Sequence, residues 1–215
     1  MGERENYIPA FGHKLLTPFY DMLMKLMREK EFKGRLIEQA KVEKGQRVLD
    51  LGCGTATLTI MIKQACPEAE VIGVDGDPEV LAIGREKAAR AGIDIMLDHG
   101  MAFQLPYPDE SFDRVVSSLV VHHLASDDKR RAFKEVRRVL KSKGEFYILD
   151  FGKPHTLTAS LIALVAQRLE QTADNIKGLL PTMMREAGFA EVAVIDNFMN
   201  IVGTLSIYRG RRQRQ

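Results

Sequence analysis

The sequence predicts one α/β domain: a doubly wound, mostly parallel sheet of seven strands, with helices on both faces and an antiparallel strand at its C-terminal end. Three observations predict it. Short apolar runs alternate with stretches whose apolar residues recur at helical spacing, as in repeated strand–helix units that wind into a parallel sheet. The first run closes in a glycine-rich turn that opens a helix. The last two runs follow each other with no helix between, so they can pair antiparallel at the sheet edge.

The elements follow in order. Leu15–Ile37 carries Leu16, Phe19, Tyr20, Leu23, Leu26 and Met27 at helical spacing, with Pro18 near the start, where a helix tolerates it. Residues 1–40 are therefore expected as a helical cap or lid and residues 41–215 as the main domain. Arg47–Leu51 is a buried strand between Lys44-Gly45 and Gly52-Cys53-Gly54. Thr55–Ala65 is helical and Pro67 stops it. Val71–Asp75 is the second strand, ended by Gly76-Asp77-Pro78, and Glu79–Ala91 is a helix closed by Gly92.

Ile93–Leu97 and Arg114–Ser118 are the next strands, separated by the turn-rich Pro106–Ser111. Lys129–Leu140 is amphipathic, with Phe133, Val136, Val139 and Leu140 inward. Glu145–Asp150 is the fifth strand. Helical stretches at Thr156–Gln171 and Leu180–Ala187 precede the pair Glu191–Asp196 and Gly203–Arg209.

Composition narrows the class. The chain has 215 residues, 45% hydrophobic and 28% charged, which suits one soluble globular core. Its 31 basic and 29 acidic residues leave a net charge of +2, too balanced for a surface that coats nucleic acid. The basic run Arg209–Arg214 is read as a solvated tail. Cys53 and Cys66 offer neither a disulfide framework nor a cysteine-based zinc site, and no metal is expected; a reducing cytoplasm fits. The first residues carry charges throughout, so no signal peptide is expected. The most apolar stretch, Leu157–Val165, is far shorter than the ~20 residues that span a bilayer.

In a sheet of this kind ligands bind outside the carboxyl ends of the strands, where strand order reverses. The first strand ends there in Asp50-Leu51-Gly52-Cys53-Gly54-Thr55-Ala56. Glycine lets the backbone approach a ligand closely, but a lone Gly-x-Gly can also be a plain turn. Asp75 ends the second strand 23 residues after Gly52. That is near the ~20-residue offset at which an acid meets a ribose hydroxyl. It points to an adenosine-containing ligand, although Asp75 could also simply open its turn. A dinucleotide fingerprint would need a third glycine at position 57, where this chain has Thr57. A looser turn beside the acidic Asp50 suits a zwitterionic tail with an ammonium group.

These blocks together resemble the class I S-adenosylmethionine (SAM)-dependent methyltransferases. Val48–Thr55 is similar to the family's first motif and Val71–Asp75 to its second. Gly100-Met101-Ala102 with Leu105-Pro106 and Ser111-Phe112-Asp113 is similar to its third block. Ser117–Leu124, Phe133–Val139 and Lys141–Gly144 look like the region after the fourth strand and the entry to the fifth. Asp150–Pro154 and Gly203–Tyr208 resemble the ubiquinone/menaquinone-type branch (methyltransferase domain 11/25).

The resemblance implies a Rossmann-like fold and SAM as cofactor, released as S-adenosylhomocysteine. It implies that Asp50, Gly52, Cys53, Gly54 and Thr55 line the methionine and ribose end, and that Asp75 takes the ribose hydroxyls. Gly76 would lie under the adenine, Met101 and Ala102 beside it, and Ser118 and Leu119 at the methionine moiety. Met101 departs from the family, which has an aspartate there to accept from the adenine amino group. A thioether packs against the ring instead, and Asp98 would substitute only if the strand slipped.

Methyl transfer from a sulfonium needs mainly proximity and alignment, with a base where the acceptor must lose a proton. His122 and His123 follow the fourth strand; either can supply that base or pack locally. The apolar helices at Leu15–Met27 and Leu157–Leu169 read as packing, lid, substrate wall or dimer face, with Tyr20 a candidate contact. The expected reaction is therefore transfer to a small, apolar or quinone-like acceptor, with no nucleic-acid partner, no membrane insertion and a homodimer kept open. The alternatives are an RNA or protein methyltransferase and a SAM-binding protein without turnover. Ser117-Ser118-Leu119-Val120 stands where many enzymes that methylate base amino groups carry Asn/Asp-Pro-Pro-Tyr.

Overall fold

The computed structural model describes residues 29–154, 172–200 and 203–213. Its centre is a seven-stranded sheet of β1 (Arg47–Leu51), β2 (Glu70–Asp75), β3 (Met96–His99), β4 (Phe112–Ser118), β5 (Leu140–Phe151), β6 (Ala190–Asn200) and β7 (Gly203–Arg211). The order across the sheet is β3-β2-β1-β4-β5-β7-β6. β1 pairs parallel with both β2 and β4, so strand order reverses between β1 and β4. β7 runs antiparallel between β5 and β6. The doubly wound, mostly parallel sheet read from the alternation is thus observed, as is the antiparallel C-terminal pair.

Side chains of successive strand residues leave opposite faces of the sheet. Val48, Val71, Val116, Tyr147 and Leu149 join one core with Phe32, Leu36 and Ala40 of α1 (Glu29–Ala40) and Leu58 and Ile62 of α2 (Thr57–Ala65). Leu49, Ile72, Val115, Phe146 and Ile148 face the other way. They join Phe133, Val136 and Val139 of α4 (Ser126–Val139). The near-continuous burial of Arg47–Leu51 follows, since both faces of a parallel strand are covered.

Several boundaries shift for local reasons. α3 (Pro78–Ala91) is capped by Asp77, whose side chain accepts the Glu79 and Val80 N–H groups, and it ends at Gly92 with φ 64. β3 starts at Met96, not Ile93, because its ladder with β2 begins at Ile72↔Met96. β5 starts at Leu140, with a register shift before it pairs regularly with β4 from Glu145. α5 (Ala173–Ile176) and α6 (Leu180–Glu186) precede β6.

One expectation is corrected: the basic C-terminal run is not a solvated tail through its length. β7 continues to Arg211, whose guanidinium pairs with Glu145 at 2.9 Å and Glu191 at 3.0 Å. Arg212 pairs with Glu110 at 2.8 Å and donates to the Leu140 carbonyl. Carboxylates on β5, on β6 and in the turn at Glu110 draw the cations onto the sheet. The candidate lid at Leu15–Met27, Tyr20 and the helix expected at Thr156–Gln171 lie outside the described residues. Among those residues, no helix is long and apolar enough to cross a membrane.

Candidate functional site

Strand order reverses between β1 and β4, the place where a sheet of this kind holds its ligands. After Leu51 the chain turns through Gly52 (φ 70), Gly54 (φ 53) and Ala56 (φ 59), three left-handed residues within five positions. Gly52 is required: a Cβ there would stand 2.4 Å from Val120 Cγ1. The N–H groups of Gly52 and Cys53 both donate to the Val74 carbonyl, at 2.8 and 3.0 Å, which ties the turn to β2. Ala56 tolerates the left-handed region only at a cost, the kind of local strain that collects at ligand sites.

Asp75 braces this turn from the end of β2. Its Oδ2 accepts the Gly54 N–H at 2.8 Å and its Oδ1 accepts the Asp77 N–H at 3.0 Å. Burial raises its pKa, and those backbone donors offset only part of the rise. Asp50 lies beneath the turn, 1% exposed, with Oδ2 accepting from Thr59 Oγ1 at 2.7 Å. Burial pushes its carboxyl up to about 6, against the Thr59 hydrogen bond. Cys53 is buried beside it, and burial drives its thiol well above the usual range. Thr55 and Gly76 are half-buried at the rim.

On the third-strand side, Met101 and Ala102 form a half-buried turn closed by the Gln104 N–H on the Met101 carbonyl at 3.0 Å. The strand does not slip to bring Asp98 to that position. Asp98 pairs in register with Val74, and its Oδ2 accepts from the Tyr107 hydroxyl at 2.9 Å.

β4 delivers the opposite wall. Leu119 is left-handed (φ 57), and its N–H donates to the Leu149 carbonyl at 2.8 Å. The buried Ser118 Oγ has no hydrogen-bond partner. A hydroxyl orphaned at the mouth of a glycine turn fits a ligand with a polar end, since such groups are otherwise satisfied. A short 3₁₀ turn, Val121–His123, then presents both histidines.

His122 meets a residue that sequence reasoning had not paired with it. Its Nδ1 is 2.8 Å from Asp150 Oδ1, and its backbone N–H donates to Asp150 Oδ2 at 3.2 Å. Asp150 is 0% and His122 5% exposed. Burial alone would raise the Asp150 carboxyl; the His122 ring and the Phe151 N–H outweigh it and hold it below the usual range. A carboxylate only accepts, so Nδ1 carries the proton and Nε2 is the basic atom. His123 packs on His122 with ring centroids 4.0 Å apart. Burial, then the neighbouring His122 ring, lowers its pKa to about 4, so it stays neutral near pH 7.

The structure therefore brings the two halves of the expected site to the ends of neighbouring strands, the glycine turn with Asp75 and then Ser118, Leu119 and the histidines, with Val120 set against Gly52. Asp150, Thr59 and Val120 were missed as partners. Strand adjacency could have hinted at Asp150, since β4 and β5 end side by side, but a separation of 28 residues carries no such signal. Among the described residues, no group of His, Cys, Asp and Glu is arranged to hold a metal ion.

Comparison with known proteins agrees with this architecture. Residues 48–144 match a methyltransferase-domain family. The demethylmenaquinone methyltransferase of Thermus thermophilus is 34% identical over 142 residues, covering 65% of this chain and 64% of its own length. The chain thus spans just under two thirds of that relative. The demethylmenaquinone methyltransferase of Symbiobacterium thermophilum is 29% identical over 245 aligned positions, covering 99% of this chain and 95% of its own. Among solved structures, a SAM-dependent methyltransferase of Thermotoga maritima, a possible histamine N-methyltransferase, superposes with a TM-score of 0.68. It is 20% identical, covering 93% of this chain and 97% of its own, a likeness of fold. The resemblance read from the motifs is borne out.

Proposed function

We propose that this methyltransferase-domain chain transfers the methyl group of SAM to a small, apolar or quinone-like acceptor and releases S-adenosylhomocysteine. One observation carries the reading: the glycine turn braced by Asp75 and the His122 held by Asp150 both stand at the carboxyl ends of the strands that flank the point where strand order reverses. The first is a place for a donor and the second a place for a proton.

When bound, SAM supplies a methyl group already activated by its sulfonium. The chain's own residues bind and align. Asp75 takes the ribose hydroxyls, and Gly76, Met101 and Ala102 flank the adenine. Asp50, Gly52, Cys53, Gly54, Thr55, Ser118 and Leu119 form the methionine end, with the unpartnered Ser118 hydroxyl available to the amino-acid group. Alignment of this kind can supply ~7–11 kcal/mol of barrier lowering.

The acceptor side needs a proton sink. A hydroxylated aromatic ring gains nucleophilic character as its hydroxyl proton leaves, and His122 Nε2 is the base that Asp150 keeps in the right tautomer. Neutral His123 packs against it as a wall. The relatives named for demethylmenaquinone support an acceptor of this chemistry, an apolar quinol. We place the reaction in the cytoplasm.

Calorimetry with SAM, followed by incubation with methyl-deuterated SAM and a panel of demethylated naphthoquinols, benzoquinols, amines and RNA, tests the reading. The expected result is SAM binding and a labelled methyl on a quinol. No SAM binding at millimolar concentration overturns the donor, and transfer to RNA or protein alone overturns the acceptor class.

A further inference from the structure

We infer that His99 reads the amino edge of the adenine, in place of the acid that Met101 displaces. The inference rests on the donor reading above. His99 is the last residue of β3 and the register partner of Asp75. An adenosine whose ribose sits on Asp75 extends its base past Gly76, toward the end of β3. His99 stands at that end, with its ring Nε2 3.1 Å from the Gly76 carbonyl.

That contact sets the chemistry of the ring. A carbonyl oxygen can only accept, so Nε2 carries the proton. In the neutral imidazole Nδ1 is then a bare acceptor, and no described residue donates to it. The adenine amino group is a donor and needs such an acceptor. The other candidates are poor or engaged. Met101 offers a thioether, a weak acceptor. Asp98 is committed to the Tyr107 hydroxyl. His99 is left as the acceptor of the right sign, anchored beside the glycine expected under the base. A hypoxanthine ring, which has a carbonyl where adenine has its amino group, would set acceptor against acceptor there.

The test is binding of S-adenosylhomocysteine and S-inosylhomocysteine to the whole chain by calorimetry. The parent chain is expected to prefer the adenosyl compound by about tenfold, the scale of one hydrogen bond and its reversal. His99→Phe keeps the ring shape and removes the acceptor, and is expected to bring the preference within about twofold. Adding Met101→Asp to that variant is expected to restore it, because the acid returns the acceptor. An undiminished adenosyl preference in His99→Phe overturns the role of His99 while donor binding stands. Failure of the parent chain to bind either compound overturns the donor reading, and this inference with it.

Discussion

Asp150 Oδ1 lies 2.8 Å from His122 Nδ1, and Asp150 Oδ2 accepts the backbone N–H of the same histidine at 3.2 Å. The carboxylate therefore fixes both the ring and the 3₁₀ turn that carries it. Asp150→Asn keeps the shape but no longer dictates the tautomer. Turnover is expected to fall ~10²-fold, in the range of a lost general base, with the Kd for SAM unchanged. Steady-state rates on a quinol acceptor alongside SAM calorimetry check this; a parallel loss of SAM binding would reveal a merely structural bond.

In the proposed function Asp75 takes the ribose hydroxyls, and its Oδ2 also braces the turn through the Gly54 N–H. Asp75→Ala removes both, and the Kd for SAM is expected to rise by ~10–100-fold, from two hydrogen bonds to a charged group. An Asp75→Ala protein that binds as tightly as the parent would remove Asp75 from the ribose.

Gly52→Ala places a methyl group 2.4 Å from Val120 Cγ1 in a backbone already at φ 70. A loss of ~2–3 kcal/mol is expected, from overpacking and left-handed strain together. Val120→Ala in the same chain should recover the overpacking share and leave the strain. Denaturant unfolding of the parent and the two variants separates the two.

Asp50 and His123 pull the pH dependence of stability in opposite directions. The Asp50 carboxyl is raised to about 6 in the folded chain, so its contribution is full below its ordinary value near 3.8 and is lost as pH rises through 6. The His123 pKa is lowered to about 4, so its contribution is full above 6.5 and is lost as pH falls toward 4. Each contribution amounts to about 3 kcal/mol. Relative to the parent, His123→Gln should therefore gain stability between pH 6.5 and 4, and Asp50→Asn should lose it over the same span. Tm measured at half-unit pH steps reads both differences.

The sequence by itself determined the strand–helix alternation, the antiparallel final pair, the glycine turn after Leu51 and the acid at the end of β2. These follow from local causes: apolar spacing, Pro78 and Gly92 at helix ends, and glycine where the backbone must turn left-handed. Boundaries such as Met96 and Leu140 did not, because ladder register rather than local pattern sets where a strand begins. Nor did the fate of Arg211 and Arg212, which depended on carboxylates up to 102 residues away. Only the tertiary structure decided which side chains meet: Asp150 with His122, Thr59 with Asp50, Tyr107 with Asp98, and His99 with Gly76. The physical reason is that local pattern records what a residue needs, a buried face or a turn, whereas a hydrogen bond between strand ends needs two needs to coincide in space. That coincidence is made by the order β2-β1-β4-β5 and is written in no single segment.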